Sequence, residues 1–97
     1  MIKRTIKWTR PDATVEWPWI GLPELDAFEN WVTTECPHLL DRHATETETT
    51  YELTFYFDSQ EICDAFKSTT QSSALVGAQI PILALRGIDR QETEETM

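Results

Sequence analysis

Cys36, His38, His43 and Cys63 are the side chains in this sequence best suited to holding a metal, and the first three lie within eight residues of one another. A tetrahedral zinc site needs four converging ligands, and sequences that build one carry tight pairs such as Cys-x2-Cys or His-x3-His. Neither spacing occurs. Cys36 and Cys63 fall instead on the apolar stripes of two amphipathic segments, where a thiol acts as a small hydrophobe. That position also denies them the exposure and lowered pKa of a cysteine nucleophile. Ser59, Ser68, Ser72 and Ser73 could nominally join His38 or His43 and an acid in a hydrolytic triad. The Gly-x-Ser-x-Gly elbow that exposes such a serine is absent, and helix caps and helix ends explain these serines better. Gly21, Gly77 and Gly87 are too widely separated to cradle a phosphate. The expectation is therefore no catalytic residue, no metal and no cofactor.

Trp17 and Trp19 are the unusual feature. They sit in a connection from Pro11 to Pro23 that contains three prolines. Two large rings in so long a loop either fold back as a lid over the end of a sheet or face a partner. The lid is the plainer reading. Trp17, Trp19, His38, His43 and Tyr56 form the set of candidate contact or pocket-lip residues.

The elements that position these residues follow from hydrophobic spacing. Ile2–Thr9 alternates, with Ile2, Ile6 and Trp8 on one face and Lys3, Thr5, Lys7 and Thr9 on the other, as in a half-buried strand. Arg4 falls on the apolar face, where it must reach the rim, find a carboxylate or betray a wrong register. Leu25, Phe28, Val32 and Cys36 recur at helical spacing. Pro23 suits the first turn of that helix, Glu24 and Asp26 suit the positive end of its dipole, and Pro37 ends it. Arg42–Phe57 is too long for one ordinary strand and folds into a hairpin turning near Glu46–Thr49. Its second arm, with Tyr51, Leu53, Phe55 and Phe57 alternating with Glu52, Thr54 and Tyr56, predicts a central strand. Asp58, with Glu61 three residues on, predicts the cap of a helix whose core face is Ile62, Cys63 and Phe66. The helix fades in Ser68–Ser73, Ile80–Arg86 reads as the last strand, and Gln91–Met97 reads as a frayed acidic tail.

This order predicts an α+β domain of ferredoxin-like plan, βαββαβ, with a four-stranded antiparallel sheet and two helices on one face. The domain spans 1–90, with 11–22 as a Trp/Pro-rich insertion and 91–97 as the tail. More narrowly, the segment Tyr56-Phe-Asp-Ser-Gln-Glu-Ile-Cys-Asp-Ala-Phe66 passes from a strand through an acidic cap into a short amphipathic helix, and here the chain resembles the dimeric α+β-barrel superfamily. That resemblance implies a homodimer whose two sheets pack face to face around a cavity, which some members use for cofactor-free oxygenation or haem breakdown. Oxygenase members line the cavity with an Asn, a Trp and a His. In this sequence Asn30 and Trp31 lie on the first helix and the second helix has no histidine, so that motif does not carry over.

Composition bounds what remains. The chain has 97 residues, of which 8 are Lys or Arg and 17 Asp or Glu, a net charge of −9. Half of the basic residues, Lys3, Arg4, Lys7 and Arg10, fall in the first ten positions, leaving an acidic body that repels phosphate backbones. An RNA-recognition domain shares the element order, but Thr50–Phe57 lacks that family's Lys/Arg-Gly start. No nucleic-acid partner is expected. The longest apolar run, Ile80–Leu85, is far too short to span a bilayer, so no membrane is expected either. Two unpaired cysteines and an N-terminus without an apolar stretch predict a cytoplasmic protein. Three functions fit: a module acting through contacts with an unidentified protein partner or through self-association, a dimeric-barrel ligand-binding protein or cofactor-free oxygenase, and an acidic nucleic-acid mimic using Glu46, Glu48, Glu92, Glu94 and Glu95. The first is the expected one.

Overall fold

The computed structural model describes residues 1–35 and 39–97, so Cys36, Pro37 and His38 lie outside the described residues. Alternation in β1 (Ile2–Thr9) places Ile2, Arg4, Ile6 and Trp8 on one buried face. The hairpin forms as β2 (Leu39–Glu46) and β3 (Thr50–Phe57), closed by a Thr47 N–H bond to the Thr50 carbonyl at 2.9 Å. β3 pairs antiparallel with β2 on one side and β1 on the other, which makes it central. Phe55 and Phe57 are almost fully buried, and Tyr51 and Leu53 pack beside them.

α1 (Pro23–Glu35) starts at Pro23 and buries Phe28 and Val32. α2 (Gln60–Lys67) buries Cys63 and Phe66. Its cap is Ser59, one residue later than expected, whose side chain accepts the Ile62 N–H. The shift is small because Asp58 and Ser59 both carry a suitable short acceptor.

Two expectations fail at the C-terminal end. Ile80–Arg86 is the second half of α3 (Thr70–Arg86), not the last strand. Residues 91–97 are not a frayed tail but supply most of β4 (Asp89–Thr96), which pairs along the whole of β1, so a boundary at residue 90 would cut a strand. α3 wins over a strand because Ser72, Leu75, Gln79 and Leu83 recur at spacings of 3, 4 and 4 on its inner side. Thr69 caps it by accepting the Ser72 N–H, and Gly87 closes it in the left-handed region at φ 65°. Pro81 is tolerated within it although it removes one helical hydrogen bond. β4 escaped notice because its inward residues are Arg90, Glu92 and Glu94. A strand held by ladder bonds and ion pairs has no apolar alternation to read.

The sheet order is β2-β3-β1-β4, all antiparallel. The helices cover the face that carries Trp8, Phe55 and Phe57, completing a ferredoxin-like α+β fold whose second helical segment is split in two. Leu83 and Leu85, in the segment expected to be the last strand, belong to α3, where Leu83 packs against the core and Leu85 is exposed. Among the described residues no helix is long and apolar enough to cross a membrane.

Candidate functional site

Arg4 resolves its own difficulty by finding a carboxylate. Its Nε donates to Glu92 Oε1 at 2.6 Å, and Arg90 NH1 donates to Glu92 Oε2 at 3.3 Å. Burial pushes the Glu92 carboxyl up, but the Arg4 hydrogen bond and the charges of Arg4 and Arg90 outweigh it and hold the group below its usual range.

The two arginines stand at one end of a cavity between sheet and helices. Trp8 of β1, Tyr51 and Leu53 of β3, Leu25, Phe28 and Glu29 of α1, and Leu75 and Gln79 of α3 line a space of about 200 Å³, with Trp19 from the loop. A smaller space of about 40 Å³ shares Trp8, Phe28, Leu53, Leu75 and Gln79 with it and continues to Arg4, Ser72 and Arg90. The main space is therefore aromatic and aliphatic, and the inner one ends on two guanidinium groups.

Two polar atoms in the shared wall have no partner among the described residues, namely the indole Nε1 of Trp8 and Oε1 of Gln79. Both residues are 4% exposed. Leaving a buried donor or acceptor unpaired costs about 1–3 kcal/mol each. A donor and an acceptor left open in an otherwise apolar wall are what a ligand with the complementary groups recovers. The remaining polar groups are committed. Glu29 is held by both terminal nitrogens of Arg42, and burial, with the charges of Glu46 and Glu29, pushes the Tyr51 phenol up and keeps it protonated.

The tryptophan loop closes the outer end. Trp19 meets Trp8 edge-on at 4.9 Å between ring centroids and lies 4.7 Å from Tyr51. Trp17 stacks behind Trp19 at 5.4 Å and is itself buried. Arg10 lies 4.3 Å over the Trp17 ring and donates to the carbonyls of Val15 and Glu48. Trp17 Nε1 donates to Glu46 Oε2, and Arg86 donates to the Glu16 carbonyl. Trp19 is thus wall and Trp17 is the prop behind it.

The other candidate residues are not brought to this cavity. His43 pairs with Thr54, and Tyr56 with Lys3, on the opposite face of the sheet. Their side chains meet each other there, Tyr56 Oη standing 3.5 Å from His43 Nε2. Residues 43 and 56 share the parity of the outward positions in β2 and β3, so they stand on the face that a second sheet would cover in the expected dimer and not on the face toward the helices. His38 lies outside the described residues.

Among the described residues one cluster of metal-ligand types is present, Cys63, Asp64 and Glu94, with ligand atoms within 4.8 Å of one another. The Lys67 ammonium stands in it, 2.9 Å from Glu94 and 3.4 Å from Asp64, and supplies the positive charge these carboxylates need. Burial and the neighbouring Glu94 push the Cys63 thiol up to about 12, so it donates to Glu94 as a neutral group and is a poor metal ligand. Cys63 is thus buried on the core side of α2 and also donates a hydrogen bond to Glu94, which its apolar position in the sequence did not reveal.

No protein-family model matches the chain, and no curated protein matches it in sequence. Solved structures do match it in shape along essentially its whole length. A Deinococcus radiodurans protein assigned as an antibiotic biosynthesis monooxygenase superposes with a TM-score of 0.69 at 12% identity, covering 100% of this chain and 92% of that one. SnoaB, a cofactor-independent oxygenase from Streptomyces nogalater, superposes with a TM-score of 0.65 at 9% identity, covering 99% and 91%. A further antibiotic biosynthesis monooxygenase gives 0.68 at 17% identity, covering 100% and 98%. The chain shares the ferredoxin-like α+β fold of these structures. At these identities the likeness is one of fold, and activity has to be argued from the cavity. Sequence reasoning found Trp19 and missed Trp8, Tyr51, Gln79 and Arg90 as cavity residues. Arg4 on an apolar face was the one visible sign of a polar site.

Proposed function

We propose that this chain is a small-ligand-binding protein of the dimeric α+β-barrel type, with an aromatic ligand in the cavity between sheet and helices and cofactor-independent oxygenation as its chemistry. The unpaired Trp8 Nε1 and Gln79 Oε1 in an aromatic wall carry the reading. Flat rings at Trp8, Trp19, Phe28 and Tyr51 favour an aromatic ligand, and the two polar atoms favour one with an oxygen function. The activity named for SnoaB supports oxygenation. In such a reaction the electrons that reduce dioxygen come from the ring itself, and the protein binds, orients and shields it.

This reading displaces the contact module expected from the sequence. Its loop would have to present Trp17, which is buried and held at its nitrogen by Glu46. Nucleic-acid mimicry is weakened similarly, because Glu46, Glu92 and Glu94 are engaged by Trp17, Arg4 and Lys67.

The test is a titration of intrinsic tryptophan fluorescence with 2-naphthol, accompanied by dioxygen uptake. Saturable quenching is expected in the wild type and not in Leu75→Trp, which fills the cavity, with circular dichroism confirming that the variant folds. Gln79→Leu serves as a milder second variant and weakens binding without blocking the space. Quenching without uptake would reduce the protein to a carrier, and no saturable quenching would overturn the reading. Light scattering is expected to give twice the chain mass of 11.2 kDa.

A further inference from the structure

The structure assigns the inner end of this cavity to an anionic oxygen of the ligand. The inference rests on the ligand-binding reading above and makes the ligand class an aromatic of one or two fused rings bearing a carboxylate or phenolate.

Charge and size both lead there. Arg4 and Arg90 bring two positive charges to the 40 Å³ space, and Glu92 alone answers them. Glu94, the next inward carboxylate of β4, is neutralised by Lys67. One positive charge is left over beside an apolar cavity, with Arg4 buried and Arg90 partly buried, which screens it less than bulk water would. Among the described residues Arg4 engages Glu92 only through Nε and Arg90 only through one terminal nitrogen. Guanidinium N–H groups therefore remain for a planar oxyanion, which they match well. The Ser72 hydroxyl, in a residue 5% exposed, lines the same space and offers one more donor.

Ring size follows from volume. An apolar cavity of roughly 150 Å³ accepts benzene. The main space of about 200 Å³ takes one ring or two fused rings, with the oxyanion in the 40 Å³ extension. A third fused ring exceeds this volume while Trp19, backed by Trp17 and Arg10, walls the outer side.

The experiment compares shape-matched neutral and anionic ligands by fluorescence quenching on the wild-type protein. 2-Naphthoate is set against 2-naphthamide, and 2-naphthol, at a pH where it is ionised, against 2-methoxynaphthalene. At least one anion is expected to bind about tenfold more tightly than its neutral partner, as charge-assisted hydrogen bonds of about 1.5–3 kcal/mol allow, and the pair that shows it identifies carboxylate or phenolate. Arg90→Gln is expected to erase that preference, bringing each anion to the affinity of its neutral partner in the same variant. The wild-type comparison stands even if that variant folds poorly. Anthracene-2-carboxylate is expected not to bind, and binding as tight as that of naphthoate would overturn the size limit. Equal binding of all four two-ring ligands would overturn the anionic end while keeping the cavity, and binding of none would overturn the cavity reading itself.

Discussion

The two faces of the sheet are made by the same strands, and they solve opposite problems. Toward the helices, β1 and β3 set Ile2, Ile6, Trp8, Phe55 and Phe57 into a dry core. The charges admitted there meet opposite charges, Arg4 and Arg90 at Glu92, and Glu94 at Lys67. Away from the helices every position is polar. In register across β2, β3, β1 and β4 the outer rows read Thr45, Glu52, Lys7, Gln91, then His43, Thr54, Thr5, Thr93, then Asp41, Tyr56, Lys3, Glu95. Opposite charges stand beside each other in the first and third rows, a pattern that stabilises neighbouring strands and is comfortable in water. The comparison teaches where to look for function. On the outer face a polar group is ordinary, whereas on the inner face an unpaired one is costly and calls for an occupant.

Substitutions can break this contrast. Phe57→Ala, at a side chain with no exposure, is expected to cost about 4 kcal/mol in urea unfolding, through lost burial and the cavity left behind. Arg4→Ala comes next at about 2 kcal/mol, because it removes a buried side chain and the hydrogen bond to Glu92 and leaves that carboxylate to Arg90 alone. A thermal melt should show the two variants well below the wild type.

Acid sharpens the same contrast. The Cys63 and Lys67 hydrogen bonds hold Glu94 down to about 2, below its ordinary 4.5. A carboxyl whose pKa is lowered in the folded state contributes stability that is complete above about 4.5 and lost as pH falls toward 2. Unfolding followed from pH 5 to pH 2 should therefore lose stability steadily, and Glu94→Gln should flatten that slope while lowering stability at neutral pH. Smallest of all, Lys3→Ala or Thr5→Ala on the outer face is expected to change stability by less than about 0.5 kcal/mol. A cost above about 2 kcal/mol for either that appears only at protein concentrations where the dimer forms would place the outer face in the dimer interface.

Legibility in the sequence followed the source of each element's stability. β1, β3 and α1 are held by apolar burial, so alternation at Ile2–Trp8 and Tyr51–Phe57 and the Phe28, Val32 stripe revealed them. α3 was misread because Ile80–Leu85 is apolar on all sides and shows no period, while its informative residues, Ser72 and Gln79, are polar. β4 stayed hidden because its inward residues are charged and are paid for by partners far away in sequence, Arg4 and Lys67. The cavity had the same fate. Trp19 could be suspected from its loop, but Trp8 looked like core, and Gln79 becomes informative only once its neighbours are known to leave it unpaired.

A crystal structure of the protein with 2-naphthol tests the central claim most directly. The account predicts the ring between Trp8, Trp19 and Phe28, with its oxygen at the inner end toward Arg4 and Arg90 or bonded to Trp8 Nε1 or Gln79. A ring seated on the outer face beside His43 and Tyr56, with the inner cavity empty at saturating ligand, would contradict it.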